Sequence, residues 1–221
     1  MRPENPHENL MRSASYSVSS ISTAVPAGTA GSTLVLRTWG VEGVPDRATV
    51  FIDGGYFDKA LAGLGRLRVD YQKFSDKVCE GTERLRTYYY HCMPYQSNPP
   101  TEDERIRYSS MDRFLYTLRM LSRFEVRLGR LQYVNAEFRQ KGVDVLLSID
   151  LVELAATGQI TKAVLVTGDS DFAHAARRAR DKGVLVELYY SQATYVHDEL
   201  LQSCDDRIPL DLAFFKDLLR T

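Results

Sequence analysis

The stretch VLVTGDSDFAHAARRARDKG, residues Val164 to Gly183, decides the fold. An apolar run leads into Gly168, and Asp169 and Asp171 stand on either side of Ser170. An uninterrupted apolar run of this length reads as a strand buried on both faces of a parallel sheet. The segment after it reads as a helix that buries Phe172, Ala175, Ala176 and Ala179 and turns Arg177, Arg178, Arg180 and Lys182 outward. Two carboxylates so close together repel, and both stay ionised only where hydrogen-bond donors or a cation compensate them. The turn and helix N-terminus supply donors; a bound metal would supply the cation.

Working outward, RATVFIDGG (Arg47 to Gly55) is a second buried strand, leaving the sheet at a tight turn. Helices are expected from about Tyr56 and over Tyr71 to Cys79. LRTYYYHCM (Leu85 to Met93) is an aromatic strand, and PYQSNPPTEDE (Pro94 to Glu104) a loop. Met111, Phe114, Leu115, Leu118 and Leu121 recur at helical spacing between Tyr108 and Ser122, and FEVRLGRLQYV alternates like a strand. KGVDVLLSIDLVELAATG (Lys141 to Gly158) is apolar around most of its circumference, which predicts a buried helix closed by Gly158. GVLVELYY is a further strand and DLAFFKDLLR a closing helix. Strand and helix alternate, so the expected class is α/β, a sandwich about a mainly parallel sheet. In such sheets ligands bind at the carboxyl ends of the strands.

Composition narrows the rest. The chain has 221 residues and a formal net charge of −1, so any basic footprint must be local. Cys79, Cys92 and Cys204 are odd in number and lack CxxC spacing, which argues against structural zinc and fits a reducing, cytoplasmic setting. No run approaches the ~18 apolar residues of a membrane helix, so no membrane partner is expected. Residues 1–45, rich in Ser, Ala, Thr and Gly without period, are expected to form a flexible low-complexity tail, with the folded domain over 46–221. They lack the apolar core of a secretory signal, and Glu4 and Glu8 count against a transit peptide.

Asp53 ends the first strand, Asp169 and Asp171 follow the central one, and Asp144 stands where the buried helix begins. Taken singly, Asp144 is a helix-start acid favoured by the dipole. Taken together, the four converge on one rim with no matching Lys or Arg in the motifs, and hard oxygen ligands in that number suit Mg²⁺ or Mn²⁺. Asp150 lies six residues after Asp144, about 240° around the helix. It groups with Glu153 and Thr157 in what reads as the polar stripe, so it is expected in solvent or behind the direct ligands, not as a ligand itself.

These strings, VFIDGGYF, KGVDVLLSIDLVELA and LVTGDSDFAHAARRARDKGVLVEL, resemble in that order the NYN domain family, a branch of the PIN-like metal-dependent nucleases, and in particular its bacterial LabA-like group. The resemblance spans roughly Arg47 to Tyr190. It implies a Rossmann-like, PIN-type three-layer sandwich and a four-acid site, Asp53, Asp144, Asp169 and Asp171, acting with Mg²⁺ or Mn²⁺ on RNA, single-stranded by expectation. A homodimer is compatible with it. Many relatives carry Asp-Gly-Ser-Asn at the first acid, whereas Gly55 and Tyr56 follow Asp53-Gly54 here.

The reaction so implied is in-line hydrolysis of a phosphodiester by a metal-dependent ribonuclease. Thr167 and Ser170 either orient water or phosphate or cap the next helix. Arg105, Arg107, Arg113, Arg119, Arg123, Arg127 and Arg130, with Tyr108 and Tyr116, offer backbone contacts and stacking or else a solvated helix face. Arg177 and Arg178 are nearer the acids and better placed for phosphate. His174 reads as a surface or capping residue and His91 as structural. A haloacid-dehalogenase-type phosphatase would need a second Asp at Gly55. The competing reading is a non-catalytic RNA-binding or regulatory module on the same fold.

Overall fold

The computed structural model describes residues 46–134 and 137–220; the expected tail over 1–45 lies outside them. The chain begins with β1 (Arg47–Asp53), α1 (Gly54–Gly63), α2 (Tyr71–Val78), β2 (Glu83–Cys92), α3 (Glu102–Arg119) and β3 (Phe124–Val134). It continues through β4 (Glu137–Lys141), α4 (Val143–Ala156), β5 (Lys162–Val166), a 3-10 turn (Ser170–Phe172) and α5 (Ala173–Arg180). The last elements are β6 (Leu185–Tyr190), α6 (Asp198–Ser203), β7 (Asp206–Pro209) and α7 (Leu212–Phe215).

The strands form one sheet in the order β4-β3-β2-β1-β5-β6-β7. Six run parallel, and β4 returns antiparallel along β3. Alternate side chains of the buried strands feed two cores. Val50 and Ile52 of β1 and Val164 and Val166 of β5 meet Phe57, Phe74, Leu115 and Leu118 from α1, α2 and α3. Phe51 and Leu165 meet Leu147, Leu151 and Ala176 from α4 and α5 on the other face. The result is the three-layer α/β sandwich that the sequence implied.

From β1 the chain winds one way through β2 and β3, then returns to place β5 on the other side of β1. Between β1 and β5 the winding reverses, which opens a crevice at their carboxyl ends. Ile52 pairs with Val166 there, so Asp53, the last residue of β1, comes level with Thr167, the first residue after β5.

Several expectations need correction. Helix α3 starts at Glu102, because Thr101 and Glu104 form a reciprocal capping box inside the segment that prolines suggested was all loop. Helix α4 is not buried all round: Val145 and Ile149 are 60% and 55% exposed. The closing helix is only Leu212–Phe215, since Asp70 N–H takes the carbonyl of Leu218 and Leu219 bridges Val69, which draws the chain straight.

Candidate active site

Asp53 and Asp169 each do first what a helix-start acid does. Asp53 Oδ1 accepts the backbone N–H of Tyr56 at 3.1 Å and so caps α1. Its Oδ2 accepts the Thr167 hydroxyl at 3.2 Å, tying the ends of β1 and β5 together. Asp169 caps the 3-10 turn by accepting Asp171 N–H at 3.0 Å. The repulsion between Asp169 and Asp171 is thus relieved in part by the turn itself.

Asp144 differs. Helix α4 starts from Gly142, whose φ of 89° needs a residue without Cβ, and no side chain caps it. Asp144 therefore sits in the first turn with no capping duty. It lines a cleft of about 570 Å³ together with Asp53, Asp169, Gly168 and Ser170.

The charges feel one another. The Asp144 carboxyl is pushed above its usual range, first by burial, then by the charges of Asp169, Asp53 and Asp171. Burial likewise raises Asp53; the Tyr56 and Thr167 hydrogen bonds oppose this and the Asp169 charge adds to it. Asp171 is exposed and does not line the cleft, but its charge reaches Asp144. Three of the expected acids therefore face one cleft and the fourth stands beside it.

The donor set is all carboxylate oxygen, which fits a hard divalent ion, and the mutual repulsion is what such an ion would relieve. Among the described residues, no three His, Cys, Asp or Glu side chains are already gathered closely enough to hold one.

Other cleft residues carry no signal readable in the sequence. Lys59 lines it, one turn along α1 from Tyr56, and supplies the cation that the motifs lacked. Tyr195 is 80% exposed at the rim and packs edge-on against His197. His197 Nδ1 accepts Glu199 N–H at 3.3 Å, so a neutral ring carries its proton on Nε2. Tyr56 stands where the sequence resemblance leads one to expect an asparagine, and its hydroxyl accepts Ser191 N–H at 2.9 Å. Its ring lies on Gly168, where a Cβ would come within 2.4 Å of it and 2.7 Å of the Tyr195 carbonyl. Lys59 and Tyr195 look like ordinary surface residues in sequence; only the fold brings them to the acids.

One expectation needs correction. Asp150 is not on a solvent stripe: it is buried, accepting the Tyr90 hydroxyl at 2.7 Å and a guanidinium N–H of Arg127. Arg177 lies 3.0 Å from Glu199, and Arg178, still 75% exposed, lies 3.7 Å from Asp181. In the arginine-rich segment, Arg105, Arg123 and Arg127 hold Glu102, Glu83 and Asp150. His174 is exposed, as expected.

Comparison with known proteins agrees with this architecture. The family model of the NYN domain matches residues 47–211. A protein of unknown function from Vibrio parahaemolyticus has a similar solved structure, with a TM-score of 0.61 at 20% identity over 80% of this chain and 98% of that one. The uncharacterized protein y4oD of Sinorhizobium fredii is 42% identical over 59 residues, 27% of this chain, which spans 28% of that relative's length.

Proposed function

The chain belongs to the NYN domain family, a nuclease-associated family of PIN-like fold, and from that premise we propose that it is a metal-dependent ribonuclease. Asp53, Asp144, Asp169 and Asp171 would hold Mg²⁺ or Mn²⁺, and single-stranded RNA is the substrate. The observation that carries the reading is the meeting of Asp53, Asp144 and Asp169 on one cleft where β1 and β5 diverge. The same three sequence strings favour the LabA-like branch.

A divalent ion bound there supplies Lewis acidity at a phosphoryl oxygen and lowers the pKa of water. Thr167 fixes the rotamer of Asp53 through its hydroxyl. Lys59 faces the cleft with an ammonium suited to a phosphate oxygen. His197, with Nδ1 engaged, offers an Nε2–H donor to the same group. Tyr56 and Gly168 pack as one wall, which keeps the Asp169 turn in place.

A second reading, an RNA-binding module without turnover, is favoured by the capping roles of Asp53 and Asp169. Incubating labelled single-stranded RNA with the protein in Mg²⁺, Mn²⁺ or EDTA separates the two. The Asp169→Asn variant is the control, because Asn caps a helix as well as Asp and so removes charge without removing the cap. Cleavage that needs metal and disappears in the variant supports the nuclease. Binding without cleavage in either metal supports the second reading.

A further inference from the structure

A second concavity, about 750 Å³, lies between α1, the α1–α2 connection and α3, and shares no lining residue with the acidic cleft. Its floor is apolar, including Leu61 and Phe114. Its rim carries Arg66, Arg68, Arg107 and Arg220, all exposed. Among the described residues none of these four forms an ion pair, whereas Arg84, Arg127 and Arg180 each hold a carboxylate. One acid, Asp58, stands among the lining residues, with a carboxylate oxygen 3.4 Å from His91 Nε2.

Four guanidinium groups that form no ion pair among the described residues, set around an apolar floor with one acid, call for a ligand that is both polyanionic and flat-faced. Guanidinium binds phosphate through paired N–H donors, and unpaired bases lie on apolar or aromatic surface. A duplex keeps its base faces stacked inside and would leave the floor uncovered. The groove is also near the acids, because α1 walls both sites. Lys59 lines the cleft, while Asp58 and Ala62 line the groove, roughly 8–13 Å along the helix from Asp53 at 1.5 Å per residue.

We propose that this groove binds the single-stranded RNA flanking the bond presented to the acidic cleft. The choice of RNA rests on the nuclease reading; the match to a polyanion with stacking groups rests on the groove alone.

The test is fluorescence anisotropy of a short labelled oligouridylate with the full chain in EDTA, alongside cleavage in Mn²⁺. Arg68→Glu/Arg107→Glu is expected to weaken binding by about tenfold or more, and Arg178→Glu, on another face, to change it by less than about twofold. With alanine at the two rim positions, the slope of log affinity against log salt should fall by about 0.7 for each arginine removed. Arg68→Lys/Arg107→Lys, which keeps the charge, should retain most of the affinity and shows that the fold tolerates change there. Groove-dependent binding without cleavage in any metal sustains the groove and sinks the nuclease. Cleavage with rim variants that bind as the wild type does overturns the groove. Tighter binding of a poly-glutamate peptide than of RNA, lost in the same variants, also overturns it, in favour of an acidic protein partner.

Discussion

Replacing Asp150 tests whether the carboxylates of α4 have been sorted correctly, because Asp144 and Asp150 lie on the same helix and only one faces the cleft. Asp150 has 8% of its side chain exposed and holds two donors, the Tyr90 hydroxyl and Arg127. A hydrogen bond to a charged group contributes about 1.5–3 kcal/mol, and a buried polar group left without a partner costs about 1–3 kcal/mol. Asp150→Ala removes the bond to Tyr90 and strands its hydroxyl on a fully buried side chain. Arg127 adds little to the loss, since 31% of its side chain is exposed and it keeps Glu125 at 3.1 Å. The expected destabilisation is about 3–4 kcal/mol, or roughly 6–16 °C in Tm for a domain of this size. Tyr90→Phe should cost about 1.5–2 kcal/mol by the same reasoning. The double variant should fall short of the sum by about 3–4 kcal/mol, because both single variants lose the same bond and the double leaves no orphaned hydroxyl. Thermal unfolding followed by circular dichroism measures all three. A Tm that stays put while RNA cleavage disappears would refute the reasoning and move Asp150 into the site.

Asp144→Asn should do the opposite, abolishing metal-dependent cleavage while stabilising the metal-free protein at neutral pH by roughly 0.5–1 kcal/mol, the scale of partly exposed charge pairs. The folded carboxyl titrates above its ordinary value of 3.8, so the folded state binds the proton more tightly than the unfolded one. Wild-type stability therefore falls as pH rises through that window, and the advantage of the Asn variant vanishes below it; urea titrations in EDTA across pH 3–7 follow the difference. Gly168→Ala should destabilise by about 1–3 kcal/mol, because its Cβ meets the Tyr56 ring and the Tyr195 carbonyl. Tyr56→Ala should restore part of that loss in the Gly168→Ala background, and no restoration would show that the backbone contact dominates.

The fold is legible in the sequence where burial fixes residue type. β1 and β5 are flanked on both faces, so both have to be continuous apolar runs, and their register brings Asp53 level with Thr167. What sequence reasoning misses lies at the sheet's edges. β4 reads EFRQK and β7 reads DRIP, strands with no apolar alternation to announce them. α6 has six residues, too few for a helical period to register. Asp150 escapes for a different reason. The angle around α4 is right in showing that it cannot share Asp144's face, but a carboxylate on the opposite face need not meet water. Its partners, Tyr90 and Arg127, stand 60 and 23 residues away in the sequence, where no local pattern joins them.

The four acids are legible for a reason that also explains the state in which they are found. An aspartate at a strand end that precedes a helix is favoured as a cap whether or not it has any chemistry to do, and Asp53 and Asp169 both take that role. A site built from such residues assembles its carboxylates with the fold, without a ligand to gather them. Were a cation to enter the cleft, each cap bond would compete with it for the same oxygen. Asp144 breaks the pattern, because Gly142 starts its helix and leaves the carboxylate with nothing to cap. It is also the residue on which the charges of Asp53, Asp169 and Asp171 all act. Of the three acids that line the cleft, Asp144 is the one whose carboxylate makes no cap, and the helix dipole is what favours it there.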